Sequence, residues 1–280
     1  MTALNTLINA ACSVIVLYCP AFRKLLEVKA EAISLGLPES IITGLQSVED
    51  LHMARDAYCE SKTSNPSDAV ATLMKDTLEH PWKQVFKDGK TKVDITPSMM
   101  SGNLEGYVLK FLISASKAKR VLEVGMFTGC GALSMAEVLP EDGKVTTCEI
   151  DPYVADLART FLDKSPHGKK VEILHGLAMD SLTELAKKGE KYDFVFIDAD
   201  KVDYCDYFNI CFNDLLAPGG TIAMDNALLG GKPYLSDTPP NDGVTKFNDM
   251  IVTRDDIYYV LMAIRDGVML IRRKEDMNGS

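Results

Sequence analysis

Two short polar runs carry side chains that can do chemistry together: Ile197-Asp198-Ala199-Asp200-Lys201 and the pair Asp225-Asn226. Carboxylates and an amide oxygen, with no His or Cys beside them, make a hard-oxygen donor set. Such a set suits Mg²⁺, which keeps positions open for waters or substrate oxygens. Lys201 follows Asp198 closely enough to reach the same space and is a candidate general base. The competing reading makes it an ion-pair partner of Asp198 or Asp200 on the surface.

A second stretch, Glu123-Val124-Gly125-Met126-Phe127-Thr128-Gly129-Cys130-Gly131, ends a short apolar run. Glycines there let the backbone approach a ligand at the start of a helix. Two features favour S-adenosylmethionine (SAM) over a dinucleotide. The glycines are spaced GxxxGxG and not GxGxxG. Glu123, ahead of the first glycine, would repel a pyrophosphate but can hold a cationic methionine amine through water. Glu149 suits either cofactor, because both carry a ribose diol from which a carboxylate can accept. A bare strand–helix turn and an NAD-dependent oxidoreductase are the competing readings of the loop.

These residues need a scaffold that brings them to one rim. Arg120–Val124, Lys144–Cys148, Val171–His175, Tyr192–Ile197 and Gly220–Met224 read as strands separated by helical stretches, one of them at about Ala132–Val138. That alternation indicates an α/β fold with a parallel, doubly wound sheet. Ligands bind such sheets outside the carboxyl ends of the strands, where Glu149, Asp198 and Asp225 all fall. Tyr258–Ile264 and Val268–Arg273, joined at Arg265-Asp266-Gly267, predict a C-terminal antiparallel hairpin. Ahead of the sheet the pattern is helical from Arg23 to about Phe86. Leu37–Pro38 ends one segment, Glu60–Ala69 reads as a polar loop, and a helix over Ala69–Thr77 stops before His80–Pro81. The sole tryptophan, Trp82, reads as packing.

At 280 residues, 46% hydrophobic and 25% charged, the chain has the makeup of a soluble globular protein. A net charge of −10 argues against a nucleic-acid partner. The one basic cluster, Arg272–Lys274, reads as a strand cap in solvent. Seven cysteines, none in a CxxC pair, suggest neither zinc nor a disulfide framework and point to a reduced, cytoplasmic setting. The apolar run Ala10–Cys19 is too short to span a bilayer comfortably, and no Lys or Arg precedes it. Leu4, Leu7, Ile8, Ala11, Ile15, Tyr18 and Phe22 recur at helical spacing, which favours a buried or interface helix over a signal peptide. No membrane partner is expected.

With their preceding methionines, Gly102–Gly106, together with Leu122–Gly131, Phe196–Lys201 and Met224–Asn226, resemble the metal-dependent caffeoyl-CoA and catechol O-methyltransferase family, over about Met99 to Arg273. The resemblance implies a class I SAM-dependent methyltransferase domain with a Rossmann-like sheet, residues 96–280, behind a helical extension, residues 1–95. It implies that Asp198, Asp225 and Asn226 bind the metal and that Lys201 is the base, with Asp198 beside it. It places Met99, Ser101, Glu105, Glu123, Gly125, Glu149, Ala178, Asp198, Asp200 and Tyr207 against SAM, and it implies a homodimer. The family usually has Ser where this chain has Gly131, so backbone N–H groups must serve the SAM carboxylate there. Restoring that serine is expected to tighten SAM binding if φ is negative.

Segments around Leu37–Leu45, Ala69 through Trp82 to Gly89, Met100–Gly106, Val121–Ala136 and Ser165–Gly168 further resemble O-methyltransferases of mycosporine-like amino acid biosynthesis, which convert desmethyl-4-deoxygadusol to 4-deoxygadusol. The implied acceptor is a small molecule with two adjacent oxygens, a vicinal enediol. The loop Ala227–Lys246 holds Lys232 and Lys246 but also Asp237 and Asp242, so it offers no phosphate clamp for a CoA thioester. Pro239-Pro240 suggests a flap over a small ring. A catechol or caffeoyl-CoA enzyme is the alternative. A SAM-binding protein without catalysis is disfavoured by the presence of Asp198, Lys201, Asp225 and Asn226 together.

Overall fold

The computed structural model describes residues 19–235 and 242–276. The apolar run Ala10–Cys19, Cys19 excepted, and Pro239–Pro240 lie outside the described residues. Among the described residues four helices come first: α1 (Pro20–Ser34), α2 (Glu39–Lys62), α3 (Asp68–Glu79) and α4 (Trp82–Lys87). Pro20 opens α1 at a position where its missing N–H costs nothing. The Ser67 hydroxyl accepts from Val70 N at 3.2 Å to cap α3. Helix α2 continues through Lys62, so the polar linker is shorter than the Glu60–Ala69 loop expected. Glu60, Ser61 and Lys62 are good enough helix formers to extend it while Pro66 waits beyond. Among the described residues no helix is long and apolar enough to cross a membrane.

One seven-stranded sheet follows, made of β1 (Arg120–Val124), β2 (Lys144–Glu149), β3 (Val171–His175), β4 (Tyr192–Ile197), β5 (Leu216–Met224), β6 (Ile257–Met262) and β7 (Val268–Arg273). Their order is β3-β2-β1-β4-β5-β7-β6. The first five run parallel, while β7 lies antiparallel to both β5 and β6. The order reverses between β1 and β4, and ligand crevices open at such a switch point.

Helices cover both faces: α5 (Gly102–Ser116), α6 (Cys130–Val138) and α7 (Pro152–Leu162) on one, α8 (Ala178–Lys187), α9 (Tyr204–Ile210) and α10 (Gly243–Val252) on the other. That is why β4 reads as a continuous apolar run. Phe194 and Phe196 enter the core with α6, and Val195 and Ile197 enter the core with α9. Each such fully buried side chain stabilises the fold by roughly 1.5–3 kcal/mol.

Two local expectations are corrected. Strand β5 begins at Leu216, not Gly220, because an irregularity between the Tyr192 and Phe194 pairings lets Ala217-Pro218-Gly219 bow out before pairing resumes at Thr221. Arg273, expected as a solvent cap, is largely buried. Its guanidinium lies 4.8 Å over the Phe212 ring and donates to Ala217 O at 3.1 Å. It satisfies carbonyls that the irregular strand start leaves open. Trp82 is packing, as read: it is buried 5.3 Å from the Phe127 ring, and its Nε1 donates to Thr77 O at 2.8 Å.

Candidate active site

The carboxyl ends of β1, β2, β4 and β5 open into a cavity of about 820 Å³, within the usual range for small-ligand sites. Backbone pairing carries the strands together to its edge: Asp198 N donates to Val124 O at 2.8 Å and Asp225 N to Ile197 O at 3.0 Å. Gly125 sits at φ +95°, and a Cβ there would lie 2.1 Å from Asp198 O. Only glycine permits β1 to turn so close under β4.

Glu149 ends β2 at the cavity wall. Its Oε2 accepts from Phe127 N at 2.8 Å and its Oε1 from Asp151 N at 2.9 Å, which fixes the carboxylate with lone pairs left for a diol. Burial pushes its pKa up. Met99, Ser101, Gly125, Ala178, Asp200 and Tyr207 line the same cavity. Ile150 and Leu177, apolar yet 62% and 59% exposed, stand at its rim and went unnoticed in the sequence. The wall from Gly89 to Val93 and Ile95, supplied by the segment after α4, likewise gives no signal in the sequence.

Three expected cofactor residues are not on the wall: Glu105, Glu123 and Gly131. Glu123 is 1% exposed and accepts from Thr147 Oγ1 at 2.5 Å. Burial raises its carboxyl to about 8, with Thr147 opposing. Gly131 packs against it, and a Cβ at 131 would meet Glu123 Oε1 at 2.6 Å and Ser101 Oγ at 3.4 Å. The glycine is therefore a close-approach residue, and a serine there, expected to tighten SAM binding, instead brings its Cβ against Glu123. Glu105, in α5, is buried and takes Arg265 Nη1 at 3.1 Å. Burial and the charge of Asp225 push its carboxyl up, against the pull of Arg265.

The expected metal residues do converge. Asp198, Lys201, Asp225 and Asn226 line one end of the cavity. Lys201 Nζ lies 2.7 Å from Asp198 Oδ1 and 5.3 Å over the Tyr204 ring. Asn226 holds φ +57°, a left-handed conformation that Asn tolerates, and its Nδ2 donates to Asp225 Oδ2 at 3.0 Å. Asp225 Oδ1 is buried without a hydrogen-bond partner. Burial first and Asp198 second push the Asp225 carboxyl well up. An orphaned carboxylate oxygen in the same cavity as a second carboxylate fits a divalent cation. Among the described residues no group of three or more His, Cys, Asp or Glu side chains could hold a metal; the set here is two carboxylates and an amide.

The match to known proteins adds to this geometry. A family model described as O-methyltransferase matches residues 72–274, beginning ahead of the Met99 at which the sequence resemblance starts. The chain belongs to this O-methyltransferase family. It is 30% identical over 243 residues to a caffeoyl-CoA O-methyltransferase of Stellaria longipes, covering 82% of this chain and 93% of that one. It is 33% identical over 235 residues to tricin synthase 1 of Oryza sativa subsp. japonica, covering 78% and 93%. Among solved structures, the O-methyltransferase TomG of Streptomyces achromogenes, involved in tomaymycin synthesis and in complex with SAM, superposes with a TM-score of 0.66 at 27% identity, covering 79% of this chain and 96% of that one. An O-methyltransferase from Bacillus cereus in complex with SAH gives 0.64 at 25% identity, covering 79% and 97%. This O-methyltransferase is SAM-dependent, and its cavity sits where a doubly wound sheet places a cofactor.

Proposed function

We propose that this O-methyltransferase uses a divalent cation, Mg²⁺ in the first instance, to methylate a small acceptor with two adjacent oxygens. The acceptor we propose is a vicinal enediol, desmethyl-4-deoxygadusol, giving 4-deoxygadusol for mycosporine-like amino acids. The observation that carries the reading is Asp225 Oδ1, buried and unpartnered beside Asp198. Asp198, Asp225 and Asn226 would hold the cation, which when bound supplies a Lewis acid that lowers the pKa of an acceptor hydroxyl.

The chain's own residues do the rest. Lys201 Nζ, on the flank of Asp198, takes the proton from the acceptor hydroxyl. Glu149 fixes the cofactor ribose, and Ile150 and Leu177 offer apolar faces to its base. Positioning of the acceptor oxygen against the methyl group supplies much of the rate.

A small acceptor is supported by the loop after Asn226. Its Lys232 lies 3.0 Å from Asp242, whose negative charge opposes a phosphate there. The second reading, a phenolic or caffeoyl-CoA acceptor, rests on the names of the relatives above. An acceptor panel with SAM and Mg²⁺, read by S-adenosylhomocysteine release, separates them. We expect desmethyl-4-deoxygadusol to give the highest kcat/KM and simple catechols to follow. Caffeoyl-CoA in first place would overturn the acceptor proposal.

A further inference from the structure

Arg265 occupies the turn between β6 and β7 at φ +49°, a left-handed conformation uncommon for a residue with a long side chain. The turn is stapled to the loop that carries the Asp225-Asn226 pair: Leu228 N donates to Asp266 O at 2.6 Å and Ala227 N to Gly267 O at 2.8 Å. From that base the side chain, 17% exposed, reaches α5. Nη1 donates to Met100 O at 3.0 Å and to Glu105 Oε2 at 3.1 Å. Among the described residues no acceptor holds Nη2 or Nε. Two bonds on one nitrogen set the guanidinium plane, because the group is rigid. Arg265 lines the cavity together with Lys201, Asp225 and Asn226, and the charges of Glu105, Asp225, Asp266 and Asp198 act on its guanidinium.

A strut between two loops needs neither a strained backbone nor spare donors. We propose that Arg265 is a specificity-determining residue whose open guanidinium edge pairs with an anionic oxygen of the acceptor, beyond the two adjacent oxygens held at Asp198, Asp225 and Asn226. The acceptors selected are then ring compounds bearing a carboxylate or an ionised enol (a vinylogous carboxylate) as well as the vicinal pair. This rests on the small-acceptor reading above and narrows it by charge.

The test uses matched pairs: 2,3- and 3,4-dihydroxybenzoate, each against its uncharged amide. Wild-type enzyme should prefer one benzoate over its amide by about 10–100-fold in kcat/KM, the range expected for a hydrogen bond to a charged group. Arg265→Gln should abolish that preference, lowering kcat/KM for the benzoate while leaving the amide and SAM affinity within about threefold. Arg265→Lys should restore part of it. Glu105→Gln, which keeps the arginine but weakens its anchor, should leave the preference in place. Equal losses on both members of a pair, accompanied by weaker SAM binding, would make Arg265 a strut and overturn the proposal. Binding of the same four compounds to the protein with S-adenosylhomocysteine, by calorimetry, reads the charge preference without turnover. A benzoate preference in binding with no catechol turnover would thus sink the acceptor reading and keep Arg265; no preference in either assay sinks Arg265 alone.

Discussion

Lys201 Nζ lies 2.7 Å from Asp198 Oδ1, so the candidate base rests on a carboxylate that the metal set also needs. The two roles compete for one oxygen. Lys201→Met should lower turnover by about 10²–10⁴-fold, the usual contribution of general acid–base help. Mg²⁺ should bind at least as tightly as in wild type, because no ammonium has to leave Asp198. Calorimetry with Mg²⁺ and a turnover assay check both arms. Unchanged turnover would return Lys201 to the role of an ion-pair partner.

Asp225 supplies the complementary arm. Its Oδ1 is buried and unpartnered, and Asn226 Nδ2 already serves Oδ2. Asp225→Asn should abolish metal-stimulated activity while leaving SAM affinity within a few fold. In the metal-free protein it should also raise thermal stability, because it removes a buried carboxyl next to Asp198. EDTA should stop wild-type turnover and Mg²⁺ restore it. Full activity after exhaustive dialysis against EDTA is the result that excludes the metal.

Much of this site was readable in the sequence because its chemistry sits at strand ends. An apolar run that stops at Glu149, at Asp198 or at Asp225 marks a rim position wherever the sheet is parallel. Glu123 and Gly131 lie beside such a motif but are off the cavity wall, because α6 packs closely on β1, and Glu105 is off it in α5, where it takes Arg265. Arg265 was hidden for a different reason. Read locally, Arg265-Asp266-Gly267 is a hairpin turn. Its value comes from Leu228 and Met100, partners far away along the chain. The cavity wall at Gly89–Val93 gives no signal in the sequence either, since Lys90, Thr91 and Lys92 sit in no recognisable motif and reach the cavity only when the loop packs.

Gly131 tests the close approach directly. A Cβ there would stand 2.6 Å from Glu123 Oε1, and Glu123 is held by Thr147 with 1% exposure. Gly131→Ser should therefore weaken SAM binding and lower Tm, and Gly131→Ala should do so to a similar extent, because the Cβ is what intrudes. Overpacking of this kind costs about 1–3 kcal/mol. Tighter SAM binding in the serine variant alone would mean that Glu123 yields and the hydroxyl reaches the cofactor.

Glu123 also sets a pH dependence. Its carboxyl titrates near 4.5 when unperturbed and at about 8 in the fold, where burial disfavours the charge. Between those values the folded chain keeps a proton that the unfolded chain has released. The contribution of Glu123 to stability is thus fully present below about 4.5 and is lost as pH rises towards 8. The slope for one such proton is at most about 1.4 kcal/mol per pH unit. Glu123→Gln keeps the shape and cannot ionise, so it should be more stable than wild type at pH 8 and close to it at pH 5. Asp225 and Glu105 are pushed in the same direction and contribute to both proteins, so the difference between the two urea-melt series isolates Glu123. Parallel curves for wild type and variant across that window would mean that Glu123 is already ionised in the fold, with a cation or bound water beside it.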